Sequence, residues 1–255
     1  MKIRSLPVVA LIAIILILLA LFLRGHFLVR PEKIKVRVVG WREDFGSVSP
    51  EGRPVIPRGW EKRGKPGTPP AIFSVVRDDK DGLSFLRVEA DKASASLICK
   101  VKGVDLEKMP VLRWRWRAVT LPEGADGRER KKDDQAIGIY VGTGKGLGKK
   151  SISYRWDTET PKGTEGNCAY GGGTIKVKWF TLRDREDAVK KEWFVDERDF
   201  MKDFENAWGF RPGKVYMSVS CNSQYTGTDA AADLDWIEFV SVSDNAENIQ
   251  EKVGK

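Results

Sequence analysis

A chain of 255 residues, 41% of them hydrophobic, is long enough for one or two buried cores and too apolar for wholesale disorder. Its formal charge of +8, with acids dispersed among the bases, permits an anionic partner without demanding one. The single histidine, His26, lies beside a hydrophobic N-terminal run, so serine–histidine–acid and cysteine–histidine nucleophiles and histidine-ligated metals are excluded from the folded part.

Residues 1–5 carry Lys2 and Arg4, a positive n-region. Leu6 to Leu23 is uncharged and, as a helix, spans roughly 27 Å, close to the hydrocarbon thickness of a bilayer. No A-x-A-like site follows it, so the run reads as an uncleaved, single-pass signal anchor in the cell membrane rather than a cleaved signal peptide. Arg24, Arg30, Lys33, Lys35 and Arg37 beyond it favour, on charge alone, the opposite orientation. A tryptophan-rich domain without histidine favours export to the periplasm or cell exterior.

Residues 24–39 read as a basic stalk that takes in the approach to a first strand, and a β-sandwich domain is expected over 40–243. Gly52 to Pro70 is rich in Pro and Gly and reads as a long loop. Short alternating runs predict strands at 72–76, 83–90, 95–102, 111–119, 135–142, 151–157, 174–182, 192–196, 214–222 and 234–242. Asp81-Gly82 signals a hairpin turn between the first two. Phe200, Phe204 and Trp208, at i, i+4 and i+8, predict one short helix over Glu197 to Trp208, packed on the sandwich edge and stopped by Gly209. Residues 244–255 form a polar tail. The sum is an all-β, two-sheet, jelly-roll-like sandwich behind an N-terminal transmembrane helix.

Within Val111–Val119, side-chain alternation puts Leu112, Trp114, Trp116 and Ala118 on one face and Arg113, Arg115 and Arg117 on the other, the arginines roughly 7 Å apart. The tryptophans are expected to enter the core. The guanidinium groups then either engage carboxylates, sulfates, phosphates or sugar hydroxyls, or pair with acids on neighbouring strands such as Glu89 or Asp91. Ile152, Tyr154 and Trp156 share one side of the next aromatic strand, where a ring beside polar groups could stack on a pyranose or simply fill the core. Asp133 and Asp134 are placed to hydrogen-bond the arginines if their strand lies adjacent, and are the candidate acid and base of a glycosidase. Asp78-Asp-Lys-Asp-Gly82 lacks the spacing of a calcium loop. Gly142 to Lys150 is no phosphate loop and reads as a flexible basic hairpin connection. Cys99, Cys168 and Cys221 form no C-x-x-C; either Cys168 bridges Cys221 or all three thiols are free.

Trp114-Arg-Trp116, Leu121-Pro-Glu-Gly-Ala-Asp126, Asp133-Asp134, Ile139-Tyr-Val141, Tyr154-Arg-Trp156, Glu197-Arg-Asp199 and Thr226-Gly227 occur in that order. With them the chain, over roughly Gly40 to Val242, resembles the bacterial domain-of-unknown-function family 3047. The resemblance implies an envelope β-sandwich shaped like carbohydrate-binding jelly rolls, with no established activity. The family's pattern carries aspartates before the Thr-Gly pair, where this chain has Asn222 and Gln224, so calcium dependence is not expected and no cofactor is assigned.

The resulting expectation is a non-catalytic, extracytoplasmic module that binds glycan or another envelope component through Arg113, Arg115, Arg117, Asp133, Asp134, Tyr154 and Trp156. It is held to the membrane by residues 6–23. A carboxylate-based glycan-cleaving enzyme using Asp133 or Asp134, and a structural partner of an envelope protein, are the alternatives; nucleic acid is not expected.

Overall fold

A computed structural model describes residues 37–46, 56–78, 82–144 and 148–242. The chain divides into two units, Met1–Val36 and Arg37–Lys255, and every described residue belongs to the second. The expected membrane span at 6–23, most of the stalk and the polar tail lie outside the described residues. Among those described, no helix is long and apolar enough to cross a membrane.

Thirteen strands form two sheets: β1 (Val39–Glu43), β2 (Trp60–Gly64), β3 (Ile72–Arg77), β4 (Ser84–Asp91), β5 (Ser94–Lys100), β6 (Val111–Thr120), β7 (Gln135–Thr143), β8 (Lys149–Trp156), β9 (Glu165–Tyr170), β10 (Ile175–Arg183), β11 (Phe194–Asp199), β12 (Tyr216–Asn222) and β13 (Asp229–Val240). The six-stranded sheet runs β11-β6-β13-β4-β3, with β1 also on β13; the seven-stranded sheet runs β2-β5-β12-β7-β8-β10-β9. Within them, β4-β13-β6-β11 faces β5-β12-β7-β8, and chain neighbours β4/β5, β6/β7 and β12/β13 sit in opposite sheets. That is jelly-roll connectivity. Among the described strands, only β8 and β10 pair in parallel.

Two short helices accompany the strands, α1 (Arg185–Ala188) and α2 (Phe200–Trp208). The single helix expected from Glu197 begins later, because residues 194–199 pair with β6 as an edge strand. Asp199 then caps α2 by accepting from the Lys202 amide at 3.0 Å. Its buried Phe200 and Phe204 close the core against Phe239.

The inward faces follow from alternation. Leu112, Trp114, Trp116 and Ala118 of β6 are buried, as are Ile152, Tyr154 and Trp156 of β8. Across the gap between sheets the Trp114 ring stacks on Tyr154 at 5.1 Å and Trp116 meets the Trp156 edge at 5.4 Å. Such pairs add about 0.5–1.5 kcal/mol each beyond area burial.

One end of the sandwich is knitted by the connections β4–β5, β6–β7 and β12–β13. The Lys92 amide donates to the Thr228 carbonyl and the Glu123 amide to Thr228 Oγ1, both at 3.1 Å. Asp134 Oδ2 accepts from the amides of Tyr225 (2.9 Å) and Thr226 (2.8 Å) and from Thr226 Oγ1 (3.0 Å). Three of the ordered sequence signatures, around Leu121, Asp134 and Thr226, therefore meet at one corner that fixes the fold.

Cys99, Cys168 and Cys221 are free. Cys221 points into the core from β12, while Cys168 lies four strands away on β9, so the Cys168–Cys221 bridge is ruled out by distance across the sheet.

Candidate functional site

The expected arginine row lies on the outer face of the six-stranded sheet and is fully engaged there. β13 runs beside β6 and contributes an acid to each guanidinium: Asp233 to Arg117 at 2.7 Å, Asp235 to Arg115 at 2.6 Å, and Glu238 to Arg113 at 3.3 Å. Asp233 also holds Arg87 of β4 at 2.7 Å, and Glu238 holds Arg42 of β1 at 2.6 Å. The partners are thus the acids of β13, with Glu197 of β11 also 3.4 Å from Arg113, and not Glu89 or Asp91. Rings cover the other sides, with Arg117 4.4 Å from the Trp193 centroid and Arg113 5.6 Å from Trp236. Each cation has its counter-charge, and the face is an electrically closed ladder.

Tyr154 and Trp156 do not form a sugar platform. Both are 0% exposed, because the face of β8 that carries them is the core face. Burial pushes the Tyr154 hydroxyl well above its usual pKa; it donates to Asp203 Oδ2 at 2.8 Å.

Asp133 and Asp134 precede β7, which belongs to the opposite sheet from Arg113, Arg115 and Arg117, so they do not hydrogen-bond that row. Asp133 instead meets Arg155, whose side chain is completely buried. Arg155 Nη2 lies 2.7 Å from Asp133 and 3.0 Å from Asp157. Tyr170 donates to Asp133 Oδ2 at 3.0 Å, and Trp179 lies under the guanidinium at 4.9 Å. The Gly127 backbone closes over it: a Cβ there would stand 2.7 Å from Nη2. Burial opposes the charge of Arg155, but Asp157 and Asp133 outweigh it and hold the group protonated. Asp157 is raised by burial against the pull of Arg155. Burial likewise raises Asp134, against the amides it accepts from. Two carboxylates do converge here, but both are committed to one buried guanidinium, where a glycosidase needs a free acid and a free base or nucleophile. Among the described residues no cluster of His, Cys, Asp or Glu is arranged to hold a metal ion.

The uncommitted surface is the outer face of the seven-stranded sheet. Register sets out its rows: Ser96–Ser220–Gly138–Arg155 across β5, β12, β7 and β8, then Ile98–Ser218–Tyr140–Ser153, then Lys100–Tyr216–Gly142–Ser151. Asn222, opposite Ser94, begins the series and accepts from the Ser94 hydroxyl at 2.7 Å. Ser220, Gly138, Ser153 and Arg155 of these rows are buried, and the accessible floor is Ser94, Ser96, Ile98, Ser218 and Asn222, flanked by the half-buried ring of Tyr140, which meets Tyr170 edge-on at 6.5 Å. Gly138 is required: a Cβ would stand 2.8 Å from Tyr140 Cε2 and 3.2 Å from Ser220 Oγ. Ser153 Oγ, Ser220 Oγ, and Arg155 Nε and Nη1 are buried without a hydrogen-bond partner among the described residues. Sequence reasoning missed this trough. Its signal was the alternation of serines at 94/96 and 218/220 in strands whose other residues are apolar.

The family described as proteins of unknown function, DUF3047, matches residues 58–238. No curated protein matches the sequence. Among solved structures the chain is similar to a family 11 carbohydrate-binding module from Clostridium thermocellum in complex with a β-1,3-1,4-mixed-linked tetrasaccharide: 12% identity, 78% of this chain and 94% of that one, TM-score 0.41. It is also similar to the xyloglucanase domain of NopAA, a type three effector from Sinorhizobium fredii, in complex with cellobiose: 11% identity, 80% of this chain and 98% of that one, TM-score 0.37.

Proposed function

We propose that this chain, which belongs to the DUF3047 family, is a non-catalytic glycan-binding module whose binding face is the outer face of the seven-stranded sheet. The observation that carries this reading is the serine trough beside Tyr140. It offers the partly exposed hydroxyls of Ser96 and Ser218 for sugar hydroxyls and the partly exposed Tyr140 ring for a pyranose face. In this reading Leu6–Leu23 anchors the module in the membrane and the sandwich lies outside the cytoplasm, in the periplasm or at the cell exterior, where envelope polysaccharide is at hand.

The test is a glycan array probed with the full-length chain and with Tyr140→Ala and Ser218→Trp. Saccharide binding that both variants lose, with their circular dichroism unchanged, is the expected result. Binding that survives both, or no binding to any glycan, would overturn the assignment.

A further inference from the structure

The trough has two ends, and both are basic. At the start of β5 and the end of β12, a cavity of about 290 Å³ is lined by Lys65, Lys92, Thr68, Gln224 and Tyr225. Where β5 ends and β12 begins, a second cavity of about 340 Å³ is lined by Lys100, Lys102, Lys214 and Tyr216 over an apolar floor that includes Val215 and Leu106. The two tyrosines are among the exposed large side chains, at 42% for Tyr225 and 39% for Tyr216.

Lys92, Lys100, Lys102 and Lys214 make no ion pair with any described residue, unlike the arginines of the opposite face. Lys65 only reaches the Gln224 amide oxygen at 3.4 Å and lies 5.1 Å from the Tyr225 ring centroid. The strands between add no counter-charge. Among the described residues of β2, β5, β12 and β7, Glu61 alone is an acid in register on this face, opposite Ile98, and it pairs with Arg63 at 2.5 Å. From Lys92 to Lys100 the strand covers about 27 Å at roughly 3.4 Å per residue, enough for several sugar rings end to end.

Building on the glycan-binding reading, we infer that the ligand is an acidic polysaccharide lying lengthwise along β5 and β12. Tyr225 and Tyr216 each stack one ring, the partly exposed Ser96 and Ser218 bond the hydroxyls between, and the lysines at the two ends pair with carboxylates. Lysines without an ion-pair partner can turn to a ligand at only the cost of ordering the side chain, because no internal counter-charge has to be given up.

The experiment measures binding of the full-length chain to polygalacturonate, alginate and hyaluronate. Each is compared with its methyl-esterified counterpart, at low and at physiological salt, alongside neutral glucan, mannan and galactan. At least one acidic polymer is expected to bind about tenfold more tightly than its ester, with the advantage shrinking as salt rises. Lys100→Ala with Lys214→Ala, and separately Lys65→Ala with Lys92→Ala, each remove part of that advantage, while Lys176→Ala does not. Equal binding of acid and ester, or of a neutral glycan, with no effect of the lysine variants would overturn the acidic assignment and leave the glycan face standing. Binding of none of these polymers would remove both. Equal affinity for single-stranded oligothymidylate would show a polyanion site blind to sugar, and would also overturn it.

Discussion

The two outer faces of the sandwich both carry polar side chains and behave in opposite ways. On the six-stranded sheet, Arg87, Arg113, Arg115 and Arg117 alternate with Asp233, Asp235 and Glu238, so charge is spent internally and rings of Trp193 and Trp236 cover what remains. On the seven-stranded sheet the accessible floor is mostly serine with Ile98 and Asn222, and the lysines at its ends make no ion pair with any described residue. A row of cations in sequence is thus poor evidence of a binding face; the presence or absence of acids on the strand alongside decides it.

The comparison can be broken most forcefully at Asp133. Replacing it with Ala strips Arg155, buried on the trough side, of one of its two carboxylates. Loss of a buried partner costs about 3–5 kcal/mol, so urea unfolding should show a destabilisation of that order. A change below about 1 kcal/mol would mean that water reaches Arg155 and that the cluster is open. Asp233→Ala probes the other face. Its partners Arg87 and Arg117 keep 30% and 24% side-chain exposure and can rehydrate, so a loss of about 2 kcal/mol or less is expected. Tyr140→Ala should cost about 1 kcal/mol, since the ring is half-exposed, while removing glycan binding.

Acid titration separates the carboxylates by sign. Arg128 beside it holds Asp126 down to a pKa of about 2. Its contribution is therefore complete above the ordinary carboxylate range and is lost as pH falls toward 2. Asp157 and Asp134 are raised by burial, so each favours the folded state most when protonated, and that contribution fades as pH rises through the folded value. Stability measured from pH 2 to 6 should lose part of its acid decline in Asp126→Asn, whereas Asp157→Asn should flatten the fall on the rising side. The smallest expected effect concerns the thiols. Burial pushes Cys99 up to about 12 and Cys168 up to about 11, so a disulfide reagent at pH 8 should react with both much more slowly than with the unfolded chain, and with the partly exposed Cys168 faster than with buried Cys99.

Much of the fold was legible because the inward face of β6 announces itself: tryptophans alternating with arginines admit one sensible orientation, and burial of Trp114 and Trp116 bears it out. The ten predicted strands are all present. Three more lie outside the predicted ranges: β1, just past the expected stalk, β2, inside the stretch read as a loop, and β9; β2 and β9 sit at the sheet edges, where Trp60-Glu-Lys-Arg-Gly64 buries one side chain and Glu165–Tyr170 buries none. Sheet membership was not legible either. Nothing local in Asp133-Asp134 says that β7 lies across the core from β6, and nothing in Asp233 says that it will sit beside Arg117. The trough was hard to read for a plainer reason: the serine alternation at 94/96 and 218/220 carries no charge, and its meaning appears only when the strands align it.

The account stands most directly on which outer face meets the ligand. Amide chemical-shift mapping of the full-length chain, titrated with a saccharide that it binds, reads both faces at once. The largest perturbations are predicted at Ser96, Ser218, Tyr140 and Tyr216, with Arg113, Arg115 and Arg117 unmoved; the reverse pattern would contradict it.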